Sequence, residues 1–326
     1  MTLSISRRKF VQVGGTSFIA ASVPAVALAQ TAYPNKQITI VVPWPPGGTT
    51  DLAGRLVATH LSSRLGYPVI VDNKPGGNTT IGTNVVAKAA PDGYTLLMNT
   101  GATLTPAFVK NIPFEILRDL APVSIAYQGT YVLFAGKNLP FQTMTEMIAW
   151  AKANPGKLTV GSPAPTSLVA LEVLKSAADI NFTIVPYKGS AATMNDLLGG
   201  HVMVVLDGPT TYTPHVKAGT IRALATAADH RVETLPNVPT TAEVGWPQLR
   251  ATFVGGLWAP AKTPPAIIER LSREMAGVMK EPDVRAKLIQ VGVDPSSSSP
   301  LEMRDKIQSE MDHYVRGAKL ANFEPQ

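Results

Sequence analysis

One pattern narrows the fold of this chain more than any other. A short apolar run ends in proline and glycine and gives way to a helical stretch, and this happens in two separate series. Gln37-Ile38-Thr39-Ile40-Val41-Val42 is nearly continuously apolar rather than alternating, as expected for a strand covered on both faces. Pro43-Trp44-Pro45-Pro46-Gly47-Gly48 stops it, and Thr49, Thr50 and Asp51 are residue types that start helices. Leu52, Leu56 and Leu61 share one side of a helix that runs to about Leu65, where Gly66 ends it. Residues 69–71 read as the next strand and 74–78 as a turn. Thr79 or Thr80 opens a helix through Ala89, and 94–98 form a third strand after the Pro91-Asp92-Gly93 turn. Strand-helix-strand-helix-strand implies a mainly parallel α/β sheet.

The second series begins near Thr143. It predicts a helix over 144–153, a strand at 158–160, and a helix to Ala178 after the loop 161–167. A strand at 182–185 follows, then a helix over 191–198 and strands at 202–206 and 221–225. Between the two series lies an apolar, extended stretch, 122–135, and a matching stretch, 252–258, follows the second. Two extended crossings between two α/β lobes are what a hinge needs. Helices at 264–280, 282–290 and 300–320 complete the chain, with a short polar linker at 296–299, and are expected to return to the first lobe.

At 326 residues, a two-domain chain is the natural division. A hydrophobic content of 45% is ample for a core. The net charge of +6 invites a nucleic-acid reading, but Arg7, Arg8 and Lys9 supply half of it. From residue 30 onward 26 bases face 23 acids, dispersed along the chain, which is no electrostatic footprint for a phosphate backbone. Cysteine is absent, which excludes disulfides, thiolate metal sites and a cysteine nucleophile.

The first residues read as an address. Ser6-Arg7-Arg8-Lys9-Phe10 precedes an apolar, small-residue stretch over 11–29 that closes on Ala27-Leu28-Ala29. This is the layout of a cleavable signal peptide, and the paired arginines resemble a twin-arginine export signal. The alternative is an uncleaved anchor, but Gly14, Gly15, Thr16, Ser17 and Ser22 dilute the stretch. Residues 1–29 are therefore expected to be removed, leaving a chain in the periplasm.

Catalytic arrangements are missing. No H-E-x-x-H or G-x-S-x-G occurs, and His60, His201, His215, His230 and His313 are scattered without ligand spacing. Residues 47–50 look like the end of a phosphate loop, but its lysine is absent. Asp51, Asp72 and Asp207 could pair for acid–base work, yet Asp51 is better explained as a helix start and Asp72 as a strand end. What does recur is a small, polar, often Gly-containing loop between a strand and a helix: 47–51, 76–80, 99–103 (with Thr100), 162–167 and 189–190. Ligands of open α/β sheets bind beyond the carboxyl ends of the strands. Unpaired amides at a helix start bind anions. Each loop alone could be simple capping; their recurrence in both halves points to a shared cleft for a carboxylate, held without arginine.

These residues also carry a resemblance. Tyr-Pro-x-Lys at 33–36, Ile-Val-Val-Pro-Trp-Pro-Pro-Gly-Gly-Thr-Thr-Asp at 40–51, Val-Asp-Asn-Lys-Pro-Gly at 71–76 and Ala-Lys-Ala-Ala-Pro-Asp-Gly-Tyr-Thr-Leu-Leu at 87–97 resemble one group. So do Val-Pro-Tyr-Lys-Gly at 185–189, Pro-His-Val-Lys-Ala-Gly at 214–219 and Ile-Arg-Ala-Leu-Ala at 221–225. The group is the Bug family, the periplasmic receptors of tripartite tricarboxylate transporters. The resemblance implies a two-lobed periplasmic binding protein of the type II-like Venus-flytrap kind. Each lobe would be a mainly parallel sheet flanked by helices, with 30–127 and 256–326 forming one lobe and 128–255 the other. It implies a monomer that binds a small carboxylate and hands it to membrane permease subunits, with no cofactor, no metal, no nucleic acid and no catalysis. The carboxylate contacts it implies fall on Gly47, Gly48, Thr49, Thr50 and Asp51, with Gly77, Asn78, Thr79 and Thr80 beside them. In the second lobe they fall on Ser162, Thr166, Ser167, Gly189, Ser190 and Asp207.

Two loops depart from the family pattern. The second loop here reads Pro-Gly-Gly-Asn-Thr-Thr, with fewer glycines, and the second-lobe loop reads Ser-Pro-Ala-Pro-Thr-Ser, in which Pro163 and Pro165 remove two amide donors. That shifts the burden to hydroxyls. Trp44 is placed either to wall an aromatic solute or to serve the core or hinge. Two other functions remain open at this point: an input protein for a membrane sensor kinase, using the same cleft, and an exported α/β hydrolase, which lacks a nucleophile and base.

Overall fold

The computed structural model describes Met1, residues 33–100 and residues 112–320. The expected leader over 1–29, with Arg7, Arg8 and the 27–29 cleavage site, lies outside the described residues, as does the 101–103 part of the loop after Thr100.

The chain opens with β1 (Ile38–Val42), α1 (Thr49–Leu65), β2 (Val69–Asn73), α2 (Thr80–Ala87) and β3 (Thr95–Thr100). β1 pairs in parallel with β2 on one side and β3 on the other, and four of its five residues are buried, as a strand covered on both faces should be. α1 stops at Gly66, whose left-handed φ of 75° lets its N–H reach the Ser62 carbonyl. α2 ends at Ala87, two residues short of the expected Ala89, because the Lys88 N–H already closes on Asn84.

After α3 (Ile116–Asp119) comes β4 (Leu120–Thr130), then β5 (Val132–Gly136), α4 (Met144–Ala153), β6 (Thr159–Ser162), α5 (Pro165–Ala178) and β7 (Thr183–Pro186). α6 (Ser190–Gly199), β8 (Val204–Asp207), α7 (Thr213–Lys217) and β9 (Ile221–Thr226) follow. β10 (Thr252–Pro260), α8 (Pro265–Val278), α9 (Pro282–Gln290), β11 (Asp294–Pro295) and α10 (Pro300–Leu320) finish the chain.

Two sheets result, ordered β11-β4-β10-β3-β1-β2 and β7-β6-β8-β5-β9. The parallel pairing expected from the sequence occupies the β-α-β half of each. β6 pairs in parallel with β7 and β8, whereas β10 runs antiparallel to β3 and β4, and β5 antiparallel to β8 and β9. Both sheets are therefore mixed. The stretch 122–135, read as one extended crossing, is two strands in two different sheets divided at Tyr131. The reason is that buried backbone N–H and C=O groups must be paired, so a crossing segment is stitched into the sheet at each end.

The junction itself is three residues wide. The Tyr131 N–H donates to the Ala251 carbonyl (2.9 Å), the Ala251 N–H to the Ala227 carbonyl (2.8 Å), and the Ala227 N–H to the Tyr131 carbonyl (2.8 Å). The chain thus passes between the sheets at Tyr131, and again through Ala227 and Ala251, with an excursion over 228–250 between them.

The C-terminal helices divide their contacts. α8 lies on α1 and β4, and α9 on β11, all belonging to the first sheet. α10 begins there too: Met303 and Ile307 are fully buried with Val41, Leu97 and Trp258. Its 21 residues extend about 31 Å, however, long enough to run on to α5 beside the second sheet. A Cβ placed on Gly317 would sit 3.4 Å from Val169 and 3.5 Å from Val173.

Candidate functional site

A cavity of about 260 Å3 lies between the sheets, at the carboxyl ends of β1, β6, β7 and β8. The first sheet contributes Trp44, Pro45, Pro46, Gly48, Thr49, Thr50, Thr100 and Phe253, and the second Pro163, Ala164, Lys188, Gly189, Ser190, Asp207 and Gly208, with Tyr131 between them. The lobes also meet at its rim. The Thr49 and Thr210 hydroxyls form a hydrogen bond, and Gly189 lies so close to Pro45 that an added Cβ would stand 3.3 Å from its ring.

Two helices aim their N-termini at this space. α1 starts at Thr49, with Gly48 as its extended N-cap, so the first-turn N–H groups have no acceptor within the helix. α6 starts at Ser190 after Gly189, whose φ of 149° suits a residue without a Cβ. No side chain caps either helix, which leaves the two amide poles to an anion. Lys188 brings a cation to the edge of the cavity.

The hydroxyls are fixed from behind. Thr50 Oγ1 lies 2.8 Å from Tyr127 Oη, and Thr166 Oγ1 lies 2.6 Å from Tyr131 Oη. Burial pushes both phenols well above their usual pKa, so they stay neutral. Ser162 Oγ and Ser167 Oγ lie 2.7 Å apart, and Ser167 Oγ accepts the Ala164 N–H at 3.3 Å. The Trp44 indole N–H donates to Asn99 Oδ1 at 2.9 Å, which holds the ring as a wall of the cavity.

Of the residues expected to contact ligand, the structure brings Gly48, Thr49, Thr50, Thr100, Gly189, Ser190 and Asp207 to the cavity. Gly47 and Asp51 stand behind the first loop: Asp51 accepts from the Gly47 N–H (3.0 Å), Asn73 (2.8 Å) and Arg55 (3.1 Å). Burial opposes ionisation of Asp51, but Arg55, Gly47 and Asn73 outweigh it and hold the carboxyl below its usual range. Ser162 at the end of β6, with Thr166 and Ser167 at the start of α5, is buried, and none of the three lines the cavity. Gly77, Asn78, Thr79 and Thr80 do not line it either. Asn78 (φ 49°) and Thr79 (φ 74°) take the left-handed backbone that glycine would adopt more easily, and for a β-branched residue this costs roughly 1–2 kcal/mol.

Sequence reasoning did not single out Tyr131, Phe253 or Lys188. Lys188 sits inside the quoted Val-Pro-Tyr-Lys-Gly run, so its signal was present. Tyr131 and Phe253 come from the two crossing strands, and only their long-range pairing turns them into the cavity.

Asp207, at the end of β8, is the one acid that lines the cavity. Burial pushes its carboxyl up to about 6 against the opposing influence of Ser190, the Gly208 N–H and Tyr212. Among the described residues no group of His, Asp or Glu is placed to hold a metal ion, and no helix is long and apolar enough to cross a membrane.

The sequence profile described as "Tripartite tricarboxylate transporter family receptor" matches residues 53–318. "Protein BugT" of Bordetella pertussis (strain Tohama I) is 34% identical over 316 residues, which is 93% of this chain and 96% of BugT. Among solved structures, "R. palustris Rpa4515 with adipate" superposes with a TM-score of 0.86 at 32% identity, covering 90% of this chain and all of the other. "Structure of periplasmic binding protein BugD" superposes at 0.85 with 29% identity, over 90% of this chain and all of the other.

Proposed function

The chain belongs to the tripartite tricarboxylate transporter family of receptors, and from that premise we propose that it binds a small organic carboxylate in the cavity between its lobes and delivers it to the membrane permease of such a transporter. The observation that carries the reading is the pair of uncapped helix N-termini, α1 and α6, facing one space from opposite lobes. Each amide pole stabilises a nearby anion by ~0.3–1 kcal/mol when exposed and up to ~2 kcal/mol when partly buried. Two poles, two hydroxyls and Lys188 together hold a carboxylate without arginine. Trp44, Pro163, Tyr131 and Phe253 supply the apolar walls that bury the rest of the solute.

Binding in this way needs the lobes to part and close. The proposed division sets 30–127 and 256–326 against 128–255, and the ends of β4 at Thr130 and of β10 at Thr252 support it to within a few residues. The contacts of α10 with both lobes then make that helix a strap across the division. The proposal includes export through the Arg7-Arg8 leader and its removal near residue 29. A receptor of this kind performs no covalent chemistry.

Isothermal titration of the mature chain against a panel of mono- and dicarboxylates, amino acids and aromatic acids tests the reading. Saturable binding of at least one carboxylate, released by unlabelled competitor, is the expected result. A panel with no binder, on folded protein, would remove the carboxylate assignment.

A further inference from the structure

Asp207 is out of place in a site built for anions. It lines the cavity with only 5% of its surface exposed. One carboxylate oxygen, Oδ1, accepts the Gly208 N–H at 2.7 Å. The other, Oδ2, is buried and closes no hydrogen bond. The Ser190 and Tyr212 hydroxyls favour its ionised form, but neither bonds to Oδ2, and Tyr212 Oη instead reaches toward the Ser190 carbonyl at 3.4 Å. No lysine or arginine among the described residues forms an ion pair with it. Lys188 shares the cavity but does not reach the carboxylate.

A buried acceptor without a donor is costly, and more so when charged. Here it stands at the carboxyl end of a strand, in a cavity whose other polar side chains are hydroxyls, the Trp44 indole and Lys188, with no second acid. The site therefore has two chemically opposite ends. One, at α1 and α6, asks for a negative oxygen. The other, at Asp207, asks for an N–H or O–H. A doubly ionised dicarboxylate satisfies the first and presses its second charge against the Asp207 carboxylate.

We infer that the cleft selects a carboxylate monoanion that also carries a hydrogen-bond donor (an amide, hydroxyl or ammonium group) and directs that donor to the Asp207 carboxylate. This rests on the carboxylate reading above and narrows it.

Matched pairs of ligands test it, each pair differing only in whether one carboxylate is replaced by a carboxamide. The pairs are succinate and succinamate, glutarate and glutaramate, adipate and adipamate, and terephthalate and 4-carbamoylbenzoate. Titration is done on the mature chain at pH 7.5, where Asp207 is ionised. The monoamide is expected to bind at least tenfold more tightly than its dicarboxylate in the best-binding pair. In Asp207→Asn, whose side chain can donate, that preference should collapse or reverse. Circular dichroism and melting temperature report whether the variant is folded, and the wild-type ratio stands even if it is not. A dicarboxylate that binds as tightly as its monoamide to the wild type overturns the inference and leaves the carboxylate reading intact. So does a ratio unchanged in folded Asp207→Asn. If neither member of any pair binds, the inference falls, and the broader carboxylate panel decides the reading it rests on.

Discussion

Thr50 and Tyr127 share a hydrogen bond at the back of the cavity, where Tyr127 is fully buried and Thr50 nearly so. Removing one partner strands the other. Tyr127→Phe and Thr50→Ala are each expected to lose roughly 1–3 kcal/mol of stability, whereas Thr50→Val with Tyr127→Phe should recover much of the loss. Urea denaturation of the three variants measures this coupling directly. Asp207 works in the opposite sense. Its folded pKa of about 6 stands above the unfolded value of 3.8, so the native state is most favoured below about pH 4 and loses that advantage as pH rises through 6. The melting temperature of Asp207→Asn relative to wild type should therefore climb between pH 4 and 6 and level off above, by up to about 3 kcal/mol in stability. A flat difference would mean that the carboxylate is solvated. At this scale the sequence was most readable where chemistry is local. Gly48, Thr49 and Thr50 follow a strand and precede a helix, and their position at the cavity follows from that alone. Asp51 also starts the helix, but its carboxylate is turned to Arg55 and Asn73, partners that appear only once β2 lies beside β1.

Helices α1 and α10 illustrate what elements add. α1 was legible from its Gly66 stop and the Gly-Gly-Thr-Thr run before it, but its buried face falls on Ala53, Val57 and Leu61 rather than on Leu52 and Leu56. Its N-terminus can be tested without disturbing the rest. A Cβ on Gly48 meets no protein atom within 4 Å, and its φ of −88° is open to any residue, so Gly48→Val should fold. The added side chain takes space from the cavity and is expected to weaken carboxylate binding by roughly 5–140-fold, the ~1–3 kcal/mol of an overpacked site. Calorimetry, with circular dichroism as the folding control, checks it; unchanged affinity would place the solute elsewhere. α10 was legible as a helix but not as a strap, because an amphipathic stripe shows that a face is buried without showing how many partners share it. Ile307 is fully buried against the first lobe, and Ile307→Ala should cost about 2–5 kcal/mol, measured by chemical denaturation. The mixed character of both sheets was likewise hidden, since strand direction is decided by pairing partners far apart in the sequence, such as Leu120 in β4 opposite Pro260 in β10.

Across the whole molecule, the order of segments follows from the order in the sequence: one α/β unit, a crossing, a second unit, a return. Export belongs to this scale, because a twin-arginine route carries a folded protein. Replacing Arg7 and Arg8 with lysine is expected to abolish periplasmic accumulation, scored by cell fractionation, and unchanged yield would assign the general secretory route. The backbone triangle of Tyr131, Ala227 and Ala251 has a mechanical consequence of its own. In the proposed closure it is the hub about which the lobes turn, and points near a hub travel least. Tyr131 forms part of the hub, and Asp207 lies opposite its neighbour Val132 in the strand pairing, so the floor of the site keeps its shape through each stroke. Thr49, Thr210, Pro45 and Gly189 lie out on the lever arms and do the travelling. Arrival and departure of the solute are then governed at the rim, and its chemical identity is judged at the floor. Speed and selectivity can change independently in such a machine, because different residues at different radii control them.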